Sequence, residues 1–469
     1  MASNGKQFTA LAILVLANEK KINLTDDIRK YLPTLYPKLS TKISIENLIN
    51  HTSGIRDVYD LWSLQDLTWW KYTFSNKEAL ALLEKQEDLN FLPDTKHLYS
   101  NSNYILLACI IEKVTGKSFV EYTNGLFKKL KMPNTSFVDD YSKIKGPIAR
   151  AYFNFDTWSS YPWIWNVCGD GNLFSTLSDQ LHWEQILQGK TKCKIKKQLL
   201  EKSQQLTDHS SIKTYGYGLE FGQYKGLEYL FHEGATGAWK TTVIRFPDKK
   251  TTFLTLTNTG KATANTQTRQ MADVVFNLKN DANYFETKPT KIGPFESEED
   301  IVGIYQTEDG FTFQFEKRDS VLYLKRMGRN DVKLERAADN IFQQTYDPDF
   351  KQEFKRNENG EMTVTAYYHS HSPYTLTKPN YDWKDFKKSA IDGSYKNTET
   401  GVTIEIKFKG EQNYDVKIGE QNQAKGLLIS PTKLLVDQYT IEFDLTSGLP
   451  KDVLLSADRI EGLKFLRIN

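Results

Sequence analysis

The 469-residue sequence is poor in cysteine, with only Cys109, Cys168 and Cys193, odd in number and far apart. That spacing points to neither a disulfide framework nor a zinc site. The seven histidines form no His-Glu-x-x-His or tight Cys/His cluster, so chemistry without a metal or cofactor is expected. An excess of one charge is missing too. The 61 Lys and Arg nearly cancel the 59 Asp and Glu, and no long block of one sign appears, which leaves no footprint for nucleic acid. A small-molecule or peptide substrate is the expected partner. The longest strongly apolar run, "ALAILVLA" at residues 10–17, falls far short of the roughly 20 residues a membrane-spanning helix needs.

What is present is a length that calls for two or three domains and enough aromatic residues, 13%, to build a core in each. Up to about Asn280, helical periods alternate with short strands. "SNSNYILLACIIEKVTGKSFVEYTNGLF" carries a helix that stops near Gly116, and "STLSDQLHWEQILQGK" carries another with Ser178 as N-cap and Gly189 as stop. "YGYGLEFGQY", "LEYLFHEG", "AWKTTVIRFP" and "KTTFLTLTN" alternate β-branched and aromatic residues and predict an antiparallel sheet, followed by a helix over 264–280. Residues 286–300, "ETKPTKIGPFESEED", read as a linker. Beyond it lie strands alone, in two similar units: Tyr305 and Tyr395 are 90 apart, Phe354 and Phe443 are 89 apart. The expected architecture is an α/β (α+β) domain at 1–288, an antiparallel sheet flanked by helices, then all-β barrel-like modules at 296–380 and 384–469. His369 and His371 are expected on solvated surface of the first module.

Three short motifs carry chemistry. Ser3 and Lys6 stand one helical turn apart at the head of an apolar helix. Burial there disfavours the ammonium and suits the lysine to take a proton from the serine. In "HLYSNSNY", Tyr99 offers a phenol for proton relay, and Asn101 an amide able to bond both the lysine and a substrate carbonyl. In "FHEGATG", His232-Glu233-Gly234 runs along a strand, where glycine permits close approach of a ligand, and the N–H of Ala235 can pair with that of Ser3 to hold an oxyanion.

Ser-x-x-Lys, then Tyr-x-Asn before a helix, then His-x-Gly on a late strand resembles the serine β-lactamases and penicillin-binding proteins. The parent set has Ser-Asp-Asn and Lys-Thr-Gly at the later positions. Tyr-Ser-Asn and His-Glu-Gly look like the branch of class C β-lactamases, related esterases and D-aminopeptidase. "YLP" at 31–33, "IENLINHTSGI" at 45–55, "GDGNLFSTLSD" at 169–179 and "FLTLTN" at 253–258 agree.

The resemblance implies a β-lactamase/transpeptidase-like fold and a serine hydrolase. Ser3 would be the nucleophile, Lys6 and Tyr99 its proton carriers, and Asn101, His232, Glu233, Gly234 and Ala235 the substrate and oxyanion contacts. It implies a periplasmic or extracellular protein. It also implies strands ahead of the reactive serine, so an N-terminally truncated domain is expected, with unpaired backbone beside "KTTVIRFP". His232 and Glu233 in place of a cation and a hydroxyl imply feeble β-lactam hydrolysis. Two alternatives stay open. The opening segment, read as an export signal, would lose Ser3 and Lys6 on cleavage and leave a binding module. The whole chain, read as an inactive homologue, would be a scaffold whose β modules hold a partner.

Overall fold

A computed structural model describes residues 1–68, 70–144, 146–153, 159–160, 163–208, 212–260, 262–278, 298–307, 311–325, 331–345, 350–367, 373–381, 387–446 and 448–468. The chain divides into two compact units. The first comprises Met1–Lys279 with two short segments, Thr398–Gly401 and Arg459–Glu461. The second holds the rest. Most of the expected linker, together with His369 and His371, lies outside the described residues.

In the first unit a 3-10 turn at Ala2–Gly5 leads into α1, Lys6–Asn18, whose residues from Lys6 to Leu16 are all buried. A helix apolar on every side has to be central. Phe8 packs its ring against Phe127 and Trp183 at centroid distances of 5.3 and 5.2 Å. Against α1 pack α5 (Asn101–Thr115), α6 (Phe119–Leu130) and α8 (Lys197–Lys202), with Trp183 of α7 (Leu177–Leu187) on Phe8, while α2 (Ile45–Asn50), α3 (Val58–Leu64) and α4 (Asn76–Leu83) pack on α5.

Local signals start and stop these helices. Ser44 with Asn47 and Ser75 with Glu78 form capping boxes for α2 and α4, satisfying orphan N–H groups at each start. Asp57 caps α3 by accepting from Tyr59 N. The α5 helix ends on Gly116 at φ 68°, as its sequence predicts. The cap of α7 is Thr176, which accepts from Asp179 N, and not Ser178, which lies inside the helix. Either hydroxyl suits the role; the one preceding the first helical turn takes it.

The strands expected from alternation form a five-stranded antiparallel sheet in chain order: β3 (Tyr215–Gly216), β4 (Leu219–Tyr224), β5 (Leu227–Thr236), β6 (Trp239–Phe246) and β7 (Thr251–Thr257). The earlier β1 (Ser136–Phe137) and β2 (Leu173–Phe174) pair separately. Helix α9 (Ala264–Phe276) stops at Asn277 in the left-handed conformation, short of the expected 280. It helps cover an aromatic cluster of Tyr224, Tyr229, Phe231, Phe246 and Phe253. The expectation of unpaired backbone beside "KTTVIRFP" is not met. That segment is β6, and it is paired on both sides, by β5 and by β7.

The second unit holds two closed antiparallel barrels of eight strands each, one within residues 303–377 and one within 393–467. Each runs up and down in chain order and closes by pairing its last strand to its first, Thr377 to Gln306 and Arg467 to Tyr395. The repeat seen in the sequence has a structural counterpart. Tyr305 donates its hydroxyl to Ile301 O at 3.0 Å, and Tyr395 does the same to Ile391 O at 2.8 Å. Phe354 and Phe443 both sit on the sixth strand of their barrel. Among the described residues no helix is long and apolar enough to cross a membrane.

Candidate active site

Ser3 lies in the turn that launches α1, and Lys6 is the first residue of that helix. Lys6 is fully buried. Its Nζ lies 3.1 Å from Ser3 Oγ, 2.9 Å from Asn101 Oδ1 and 2.6 Å from the carbonyl oxygen of Asp170. Burial lowers its pKa from 10.5 to about 7, against the pull of Asp170 and Asp57. The partners fix how a neutral amine would be used. Asn101 Oδ1 and Asp170 O can only accept, so the two N–H groups go to them and the lone pair is left for the O–H of Ser3.

Two backbone features bring those partners in. Asp170 follows Gly169, whose φ of 104° and close fit leave no room for a side chain; a Cβ there would stand 2.8 Å from Tyr104 O and 2.7 Å from Ala108 Cβ. Thr9 of α1 donates to Gly169 O at 2.7 Å, tying the same loop to the helix that carries Lys6. Asn101 opens α5, and both its backbone N and its Nδ2 donate to Asp57 Oδ2, at 2.6 and 2.9 Å. The latter bond orients the amide so that Oδ1 faces Lys6.

Tyr99 lines the same cavity as Ser3, and burial holds its phenol well above the ordinary value, with the Ser3 side chain working in the opposite direction. Lys6 Nζ stands 4.9 Å from the centre of its ring. On another side the ring meets His51 at 4.3 Å. His51 ends α2 in the left-handed conformation, and its Nδ1 accepts from Ser100 N at 3.2 Å, which pins the residue after Tyr99.

On β5, His232 is buried and held neutral, its pKa pushed down to about 3 chiefly by burial. Nδ1 donates to Glu233 O at 2.6 Å, so Nε2 is left to accept from the Tyr215 hydroxyl at 3.0 Å. Gly234 does something other than admit a ligand. A Cβ there would stand 2.4 Å from Met1 O and 2.6 Å from Thr241 Oγ1, so the glycine lets the backbone ahead of Ser3 lie against the strand.

These residues surround a cavity of about 640 Å³ lined by Ser3, Tyr99, Asn101, His232, Glu233 and Ala235. Tyr59, Trp62, Trp70, Trp163 and Trp165 give its wall from the α3 region and the 163–172 loop an aromatic character. Glu220, on β4, adds a carboxyl. Arg459 also lines it, 3.5 Å from Asp57 through Nη1.

The Beta-lactamase family profile matches residues 1–276. The chain belongs to the beta-lactamase family. It is 39% identical over 149 residues to Protein flp of Staphylococcus aureus (strain MRSA252), covering 31% of this chain and 29% of that protein. It is 25% identical over 267 residues to D-aminopeptidase of Brucella anthropi, covering 55% and 49%. The chain thus spans less than half the length of these curated relatives. Among solved structures, the octameric penicillin-binding protein homologue from Pyrococcus abyssi matches with a TM-score of 0.55 and 21% identity over 81% of this chain and 87% of that one, a likeness of fold.

Within this beta-lactamase domain the residues singled out from the sequence gather at one place: Lys6 is hydrogen-bonded to Ser3 and Asn101, and Tyr99, His232, Glu233 and Ala235 line the same cavity as Ser3. Gly234 is the exception, set behind the wall it supports. Asp57, Tyr59, Asp170 and Glu220 were not identified from the sequence. Asp170 lies within "GDGNLFSTLSD", a block recognised as a whole with no role assigned to its carboxylate or carbonyl. Asp57 and Glu220 carry no local pattern; only the fold brings them to the serine.

Proposed function

We propose that this protein is a serine hydrolase that cleaves amide or ester bonds through an acyl-enzyme on Ser3. The observation that carries this is the contact of Ser3 Oγ with a buried amine whose pKa is about 7, at the edge of a cavity of substrate size. Neutral Lys6 takes the Ser3 proton as Oγ attacks the carbonyl. Tyr99, in the same cavity, gives its phenolic proton to the leaving group and regains one from the Lys6 ammonium, which returns that amine to its neutral form. The N–H groups of Ser3 and Ala235, two residues that line the cavity, are the donors assigned to the developing oxyanion, a contribution of about 3 to 4 kcal/mol per donor in sites of this kind. Water then releases the acyl group.

The substrate class follows from the third motif. A neutral imidazole and a glutamate stand where the parent pattern has lysine and threonine, so a substrate carboxylate finds no matching cation there. The guanidinium that lines the cavity, Arg459, is engaged by Asp57. Weak or absent β-lactam hydrolysis and better turnover of aminoacyl amides or esters are expected, in keeping with the relative named D-aminopeptidase. A fluorophosphonate probe tests the core of this. Intact-mass analysis should find one adduct on the parent protein and none on Ser3→Ala. An unlabelled parent, or equal labelling of both, would turn attention to the scaffold alternative.

A further inference from the structure

We infer that Glu220 and Glu233 form a subsite for a primary ammonium group, so that the preferred acyl donor carries a free amine close to the scissile carbonyl. This rests on the assignment of Ser3 as the acylated residue. Both carboxyls line the cavity with Ser3. Glu220 sits on β4 opposite Phe231, one residue before His232, so the strand register sets the two glutamates side by side at the active end of the sheet. Glu220 is half-buried and, among the described residues, makes no hydrogen bond or ion pair.

Charge is unbalanced at this point. Glu220 feels Glu233 and Arg269 as its charged neighbours. Arg269 is closer to Glu233, with Nη2 at 3.8 Å from Oε1, and its guanidinium lies over the Phe231 ring at 5.8 Å. One guanidinium facing two carboxyls leaves one anion short of a partner. Burial, then the charge of Glu233, raises Glu220 to about 7. An arriving ammonium would supply the missing cation. A third carboxyl points the same way. Asp170 lines the cavity and is only 5% exposed; its Oδ2 accepts from Tyr59 at 2.7 Å while Oδ1 is without a hydrogen-bond partner. Glu220 lines the same cavity as Ser3 and Tyr99 and acts electrostatically on the Tyr99 phenol.

The test uses the full chain and a matched pair of anilides, phenylalanine p-nitroanilide in each enantiomer and 3-phenylpropanoyl p-nitroanilide, which lacks only the amine. The parent protein should favour one amine-bearing substrate in kcat/KM by about tenfold or more. Glu220→Gln together with Glu233→Gln should carry that ratio down toward one, chiefly through KM, and Glu220→Asp should recover part of it. A parent ratio of one or less, or a ratio untouched in the double variant, overturns the subsite. A second measurement needs no variant. 2-Phenylethylamine should protect Ser3 from fluorophosphonate at a concentration about tenfold below that of 2-phenylethanol, and equal protection overturns the proposal. If the parent is neither labelled nor active on either anilide, the serine hydrolase assignment has failed, a result distinct from a labelled enzyme that ignores the amine.

Discussion

The pH dependence of Ser3 acylation is the sharpest test of the proton transfer. Lys6 is held at about 7 where a free lysine amine titrates at 10.5, so its surroundings disfavour the ammonium by about 5 kcal/mol. Burial is the main cause and Arg459 adds to it, while Asp170 and Asp57 work in the opposite direction. With a midpoint near 7, roughly a tenth of the amine is neutral at pH 6 and roughly nine-tenths at pH 8. The second-order rate of fluorophosphonate labelling should therefore rise roughly tenfold over that interval and then level off. A lysine at its ordinary value would instead give a roughly hundredfold rise that continues beyond pH 9. Glu220 titrates in the same range, so the profile is to be repeated on Glu220→Gln, where the midpoint should persist. Replacing Lys6 with arginine, which keeps its proton, should lower labelling by about 10² or more at every pH. A profile that climbs without a plateau, or an arginine variant that labels normally, refutes the role given to Lys6.

Two further predictions concern the scaffold. Gly234→Ala places a methyl against Met1 O and Thr241 Oγ1, so the melting temperature should fall, with about 1 to 3 kcal/mol lost, and Ser3 labelling should slow because the turn that holds the serine is displaced. Thermal unfolding of Tyr305→Phe and Tyr395→Phe tests the repeated barrel contact. Each leaves a buried carbonyl without its donor, a loss of about 1 to 2 kcal/mol. The Tyr395 variant should lose more, since that hydroxyl also accepts from Arg467 Nη1 at 2.9 Å.

Much of this protein is legible in its sequence, for specific reasons. Ser3 and Lys6 are neighbours along one helix, and Tyr99 and Asn101 neighbours across one helix start, so short-range spacing carries them. The strands of the sheet announce themselves by alternation, and the barrel repeat by matching tyrosines. What was illegible is of longer range. Asp57 orients Asn101 across 44 residues and Asp170 offers its carbonyl to Lys6 across 164; neither relation leaves a periodic trace. Gly234 was expected to make room for a ligand, as glycine on a strand often does, whereas the space it frees is filled by the chain's own first residue. The pairing of β6 on both sides follows from the hairpin to β7, a neighbour in sequence that covers the edge β5 leaves open.

Closure of the two barrels sets how the second unit can take part in recognition. Among the described residues, each ring pairs its last strand to its first, through Thr377 and Gln306 in one barrel and through Tyr395 and Arg467 in the other, so the backbone row an open sheet edge would offer is interrupted there. An extended peptide therefore finds no long open edge strand to join among the described residues. Whatever molecule engages these barrels must be gripped by side chains on their outer walls or by the loops at their rims, where substitution can alter the choice of ligand while leaving the cylinder standing.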